Sequence, residues 1–431
     1  MRRVGPRQPL AISAMDPGWL RRDLGLLDAI GIGAGAIVGA GIFVVTGIAA
    51  GVAGPAFLIG LVIAALVATT NALSSAQLAA EYPQAGGAYE YGYRVLHPAA
   101  GFAAGWMYLA SKISAAGTVA LGLAGYLTAL RPGIPPRMVA VAAIVVFTAV
   151  NYVGVKRSSR VNLAIVLVSV GSLLLFVVAG LANVRADNFY PFAPAGTTGV
   201  LESSALLFFG YTGYARIATL AEEVREPRRT IPRAIVVTIV GAVVLYVSAA
   251  FVAVGTLGAP ALAATPAPLY RAAAAFPLTW VARVVGIGGV VAMLGVVLSQ
   301  LLGLSRMVFA MSRRGDLPPV FAQVHPRSGV PRRAVLLVGA VPALVAGTGT
   351  LQDVASSAAF SILVYYGMAN FSALRMGAGS KLYSDFVPLF GLVGCAVLAF
   401  SLTPSTVMTG LTILLAGLAA RRAVGRLLVS A

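Results

Sequence analysis

The chain has 431 residues, 59% of them hydrophobic and only 10% charged, with 31 Lys and Arg against 13 Asp and Glu for a net charge of +18. A mean hydropathy of +0.91 exceeds what a water-soluble fold can bury, which excludes a soluble enzyme or binding domain and predicts a polytopic membrane protein. The single Cys395 rules out a disulfide framework and a cysteine metal site, and His97 and His325 are too few for a histidine cluster, so neither a metal nor a cofactor is expected.

The first residues, "MRRVGPRQPLAISAMDPGW", lack an apolar core followed by a cleavage site and do not read as a secretory signal. Residues 1–22 are therefore expected to form a cytoplasmic N-terminal segment. Nearly charge-free segments follow to the end of the chain, and a helix needs about 20 apolar residues to cross the hydrocarbon. Predicted helices start near residues 27, 55, 97, 138, 160, 199, 234, 279, 334, 354, 387 and 405, twelve in all. The last two are short. The "SLTPSTV" between them reads either as a tight turn within a true pair or as a kink in one re-entrant hairpin.

The basic residues alternate between loops. One side collects Arg2, Arg3, Arg7, Arg21, Arg22, Arg94, "VKRSSR", "VREPRRTIPR", "SRRGDLPP" and the terminal "RRAVGR", whereas the other has only Arg131, Arg137, Arg185, Arg271 and Arg283. The positive-inside rule then places both termini in the cytoplasm. The same alternation reads as topology and attraction to anionic lipid, not as a nucleic-acid surface.

Within the first predicted helix, "GIGAGAIVGAGIF" (31–43) packs five glycines into thirteen residues. Each interior glycine costs about 1 kcal/mol relative to alanine, so the stretch marks a break or a close approach. The pattern fails again at "FFGYTGY" (208–214) in the sixth helix. Taken singly, each break also fits close packing, since Gly35 and Gly39 make a GxxxG. Together they fall in the first helix of successive five-helix blocks, and five is odd, so the second block enters with opposite polarity: an inverted repeat. Broken helices expose N–H groups suited to a carboxylate and carbonyls suited to an ammonium, and an α-amino acid carries both ends.

Four motifs in order, "GAIVGAGIFVVTG", "EYPQAGGAYEYGYRVL", "FFGYTGYARIATLAEEVREPRRTIPRAI" and "MVFAMSRRGDLP", resemble the amino acid, polyamine and organocation (APC) transporter superfamily over nearly the whole chain from about Asp23. The resemblance implies an all-α, five-plus-five inverted repeat with discontinuous helices 1 and 6, working by alternating access. It divides the chain into repeats at 23–184 and 185–376 and a tail at 377–431 holding helices 11 and 12. It places the substrate carboxylate at Gly39, Ala40 and Gly41 beside Ile37 and Val38, and the ammonium at carbonyls around Phe208, Phe209 and Tyr211, with Gly210 and Thr212 bordering the side-chain pocket. Proton-coupled members carry a lysine in the fifth helix where this chain has Ser169, and the eighth helix has no Ser or Thr between Gly286 and Leu298 to ligate sodium.

Charges at membrane depth are costly and functional by default. Lys112 lies eleven residues after Gly101 and thirteen before Gly125. It is a candidate replacement for the missing lysine, or a prop for the broken first helix. Arg216 and Arg306, with Glu222 and Glu223, read either as an inner-gate network or as interfacial anchors. No carboxylate is expected at the pocket, because Asp28 and Glu202 sit near opposite helix ends, so a neutral, apolar amino acid is favoured over a cationic one. At most one of Tyr365 and Tyr366 lines the pocket, since adjacent helix residues point apart. The expected protein is thus a secondary transporter in a bacterial-type cytoplasmic membrane, moving an amino acid with a proton or against a counter-substrate; another amine or organocation, a non-transporting amino acid sensor and a channel are the alternatives. The oligomeric state is not legible in the sequence.

Overall fold

The computed structural model describes residues 24–82, 86–154, 159–218, 224–326 and 328–430, and among these the chain is helical throughout. The first helix is interrupted: α1 is Leu26–Ile37, a π-helical turn covers Gly41–Val45, and α2 is Thr46–Ala53. Next come α3 (Phe57–Glu81), a short α4 (Ala88–Tyr91), α5 (Pro98–Leu130), α6 (Pro136–Val153) and α7 (Ser159–Gly180). The second half runs α8 (Gly196–Tyr211), α9 (Ala215–Ala218), α10 (Pro227–Leu257), α11 (Ala259–Ala263), α12 (Pro268–Ala273) and α13 (Thr279–Arg313). It ends with α14 (Arg332–Thr348), α15 (Leu351–Leu374), α16 (Phe386–Phe400) and α17 (Pro404–Ser430).

Among the described residues, seven helical stretches are long and apolar enough to cross a membrane, or eight if the bent pair α16 and α17 counts as one span. That pair meets at 116°. The large apolar side chains left exposed on α6 and α7 are Val, Leu and Met, among them Met138 at 67% and Val178 at 73%, the outward face that a lipid solvent favours. The interior is built the other way. On α5 the buried face is rich in Ala and Gly, including Ala104, Ala115, Ala116, Gly117 and Ala120, and α15 and α13 pack against this helix. Small residues let helix backbones approach where no hydrophobic effect drives association.

One isolated bridge is the only strand-like pairing among the described residues: Leu24 pairs with Val224, and Arg225 N–H donates to the Leu24 carbonyl at 3.0 Å. It ties the start of α1 to the segment that leads into α10. The interrupted first helix lies deep in the bundle, with Ile42, Phe43 and Val45 fully buried.

A close backbone approach joins the two glycine-rich stretches. A β-carbon on Gly41 would collide with the Gly210 Cα, while one on Gly210 would lie 3.1 Å from the Gly41 Cα. Because the obstacle to a Gly41 side chain is backbone, no rotamer relieves it. Gly41→Ala is expected to destabilise the folded protein by about 1–3 kcal/mol, the usual cost of overpacking. Gly210→Ala should cost less. The ordering of the two thermal midpoints in detergent checks this, and equal midpoints would contradict the close approach.

Candidate functional site

At the first break, α1 stops at Ile37 because Val38 turns to extended backbone, φ −69° and ψ 110°. The Val38 N–H still reaches the Ala34 carbonyl at 3.1 Å, and the N–H groups of Ile42 and Phe43 both close onto the Gly39 carbonyl at 3.2 Å. A carbonyl released at membrane depth costs several kcal/mol unless it finds a donor. Two tyrosines from other helices supply donors. The Tyr246 hydroxyl of α10 donates to the Ile37 carbonyl at 2.8 Å, and the Tyr126 hydroxyl of α5 donates to the Phe43 carbonyl at 2.7 Å. Thr46 takes the Ile42 carbonyl at 2.6 Å. Tyr126 also stands edge-on to the Phe43 ring, with centroids 5.9 Å apart.

The second stretch behaves differently from the expected discontinuity. α8 is regular through Phe208, Phe209, Gly210 and Tyr211, after which Thr212–Tyr214 tighten into a 3₁₀ turn that runs into α9. The Thr212 N–H and its hydroxyl both donate to the Phe209 carbonyl, the latter at 2.9 Å. The chain therefore narrows here without unwinding, and the Phe209 carbonyl expected to be free for an ammonium already has donors. A 3₁₀ turn keeps i to i+3 hydrogen bonds, which suits a segment whose Thr212 and Tyr214 are buried. Gly213 has a further role that the sequence pattern did not reveal: a β-carbon there would collide with the Ala36 carbonyl. Gly210 and Gly213 are thus notches that receive the π turn and the end of α1.

The candidate residues of both stretches meet. Ile37, Val38, Ala40, Phe208, Phe209, Tyr211 and Thr212 are all buried, none more than 7% exposed. Gly39 faces α13, where a β-carbon would lie 2.9 Å from Val296 Cγ2. The buried Tyr211 hydroxyl has no hydrogen-bond partner among the described residues. Of the two adjacent tyrosines in α15, Tyr366 is the one that faces this region, with ring centroids 5.9 Å from Phe208 and 5.5 Å from Tyr214. Tyr365 turns away, accepting the Ala88 N–H at 3.1 Å.

The candidate coupling and gating residues are dispersed. The Lys112 ammonium lies 5.7 Å from the Tyr108 ring centroid, half-buried in α5, while its neighbours Ser111 and Ser114 bond to Ala358 and Ser357 of α15. Ser169 is buried in α7 and donates to the Ile165 carbonyl at 2.6 Å. Glu222 and Glu223 lie outside the described residues, and of Arg216 only its backbone in α9 is described. Arg306 is exposed on α13 and enters none of the ion pairs among the described residues. Asp28 accepts the Gly25 N–H at 2.9 Å at the start of α1. The buried charges gather elsewhere, around Glu90 and Asp316 just past the C-terminal end of α13, a cluster the sequence reading missed although its two motifs, "GAYEYGYR" and "SRRGDLP", were in view.

The amino acid permease family model matches residues 28–423. An uncharacterized transporter of Mycobacterium tuberculosis is 43% identical over 406 residues, covering 94% of this chain and 91% of its own. A branched-chain amino acid permease of Bacillus subtilis is 32% identical over 356 residues, 78% of this chain and 77% of its own. A methylthioribose transporter of the same organism is 33% identical over 369 residues, 80% of each. A match over nearly the full length, on a helical membrane fold whose glycine-rich first helix is interrupted in the bundle core, leads to one conclusion: the chain belongs to the amino acid permease family of the APC superfamily of transporters.

Proposed function

We propose that this protein is a secondary active transporter that moves a neutral amino acid across the cytoplasmic membrane by alternating access. The observation that carries this reading is the interruption at Val38, set against Gly210 with its flanking carbonyls held by tyrosines of two other helices. In this reading the N–H groups of Gly39, Ala40 and Gly41 take the substrate carboxylate at the start of a half-helix, where the backbone dipole favours an anion. The ammonium lies toward the carbonyl end of α8, at whichever of the carbonyls near Phe208 and Tyr211 lack the Thr212 bond. Val38, Phe208, Thr212 and Tyr366 wall the side chain.

Because the Gly41 and Gly210 backbones touch in this conformation, substrate enters when α1 and α8 separate. Twelve spans, with inverted repeats at 23–184 and 185–376 and both termini cytoplasmic, give the rocking geometry. The absence of a carboxylate from the candidate wall, and the branched-chain specificity named for one relative, support a neutral apolar substrate. The methylthioribose transporter among the relatives supports a second reading, an uncharged non-amino-acid solute at the same site.

Thermal stabilisation of the purified protein and uptake into proteoliposomes, each against the twenty amino acids and methylthioribose, decide between these readings. Stabilisation by branched-chain amino acids is expected; a response to methylthioribose alone would replace the substrate class.

Coupling is assigned to protons or to exchange of a second amino acid. Between Gly286 and Leu298, α13 carries no Ser or Thr hydroxyl, so this stretch offers a hard, oxygen-seeking cation no side-chain ligand. Replacing external sodium with choline should leave uptake unchanged, and a large loss would restore sodium coupling. Lys112→Met is expected to lose accumulation driven by a pH gradient while retaining substrate binding and one-for-one exchange. Uphill uptake that survives in this variant at equal expression would remove Lys112 from coupling, and loss of binding together with exchange would make it a structural prop.

A further inference from the structure

The largest cluster of buried charge outside the candidate site joins three segments far apart in sequence. The first is residues 88–96, the connection between α3 and α5, which contributes Tyr89, Glu90 and Tyr93. The second is the end of α13, which contributes Arg314 and Asp316. The third is Arg421, near the end of α17.

Asp316, with its side chain 5% exposed, is the hub. It accepts from the Tyr89 hydroxyl at 2.7 Å, from the Tyr93 hydroxyl at 2.6 Å and from Arg421 Nε at 2.9 Å. Arg421 also donates to the Tyr93 oxygen at 3.0 Å and lies over the Phe102 ring at 5.4 Å. Beside this hub, the Glu90 carboxylate takes Arg94 and Arg314, each at 2.5 Å, with its side chain 8% exposed. The Arg314 guanidinium stacks 4.4 Å above Tyr93. Burial pushes the Glu90 carboxyl up, but the hydrogen bonds from Arg94 and Arg314 outweigh it and hold it below the usual carboxylate range. The pair is therefore ionised at neutral pH.

α17 is seated for this role along its length. The Trp106 indole of α5 donates to the Ile413 carbonyl at 2.8 Å, and Gly417 leaves room for that ring, since a β-carbon there would collide with it. The segment 88–96 is pinned from its other side by the Tyr365 hydroxyl on Ala88 and by the Gly92 backbone, where a β-carbon would lie 2.7 Å from the Gly101 Cα. Just before it, Gly86 and Gly87 take φ of 137° and 56°, values open to glycine, so the chain changes direction immediately outside the pinned segment.

We propose that the last helix is a strap: through Arg421 on Asp316 it fastens residues 88–96 to the end of α13, so that this connection forms one rigid body with α5, α13 and α17. Arg421 suits the task because its fork bonds a carboxylate and a phenol oxygen at once while its face covers an aromatic ring, a combination that lysine cannot reproduce. Both acids are buried with fixed donors, so removing one donor leaves a desolvated carboxylate and loosens every segment attached to it.

The test is amide hydrogen exchange read by mass spectrometry on the full-length protein in detergent, which depends on no substrate. Arg421→Gln is expected to speed exchange across residues 88–96 by about tenfold, with Arg421→Lys intermediate, while exchange in the middle of α3 stays as in the wild type. Unchanged protection of 88–96 in Arg421→Gln would overturn the strap, and so would a uniform rise over the whole chain, which would mark general destabilisation. Asp316→Asn gives a second route should the arginine variants fail to fold. Combined with Arg421→Gln, it should speed exchange no more than the stronger single change does, because both remove the same contact. Multiplicative effects of the two would also overturn the strap.

Discussion

A peptide group left without a partner in hydrocarbon costs several kcal/mol, and the organisation of this protein's core follows from that constraint. The chain breaks its first helix at Val38, among buried residues inside the bundle. It then returns four carbonyls around the break to donors. Gly39 takes two amides, Thr46 takes the Ile42 carbonyl, and tyrosines from α5 and α10 take those of Phe43 and Ile37. These carbonyls are held, and the backbone at Gly41 fits against the notch at Gly210.

The same constraint explains why the two glycine-rich stretches differ. One turns fully extended for a residue and recovers through a π turn; the other only narrows to a 3₁₀ turn, with Thr212 closing onto Phe209. If both unwound side by side, twice as many peptide groups would need donors from a lining of Phe, Val and Ile. Glycine serves packing at one level and conformation at another: Gly210 and Gly213 are needed for the space they leave, and the interruption itself lies at a valine. Packing and a broken helix, weighed as alternatives from the sequence, are both present, at neighbouring but different residues.

Polar groups away from the break follow the opposite rule, concentrating where water is near. Glu90 and Asp316 are buried but lie beyond the ends of the long helices α3, α5 and α13, where arginines can reach them without crossing the bilayer. Deeper in the bundle the links are neutral. Asn71 and Asn370 bond at 2.6 Å, and Cys395 joins them from α16, tying three helices through amides and a thiol in place of charge. This ordering by depth places strong, geometry-fixing contacts at the rim and adaptable ones near the region proposed to move.

The sequence by itself determined the membrane class, the positions of the helices, the two glycine-rich stretches and the family, because hydropathy and motif spacing are properties of contiguous residues. It also narrowed Tyr365 and Tyr366 to one pocket residue, from helix geometry alone. Only the tertiary structure decided which of the pair faces α8, that Gly41 meets Gly210, and that Tyr126 and Tyr246 hold the break across 83 and 209 residues. It likewise paired Glu90 with Arg314, 224 residues apart. A lone tyrosine or arginine in a long apolar chain carries no local mark of its partner. The pairing is set by how helices cross, and helix crossing is decided by small residues whose contacts exist only once the bundle has formed.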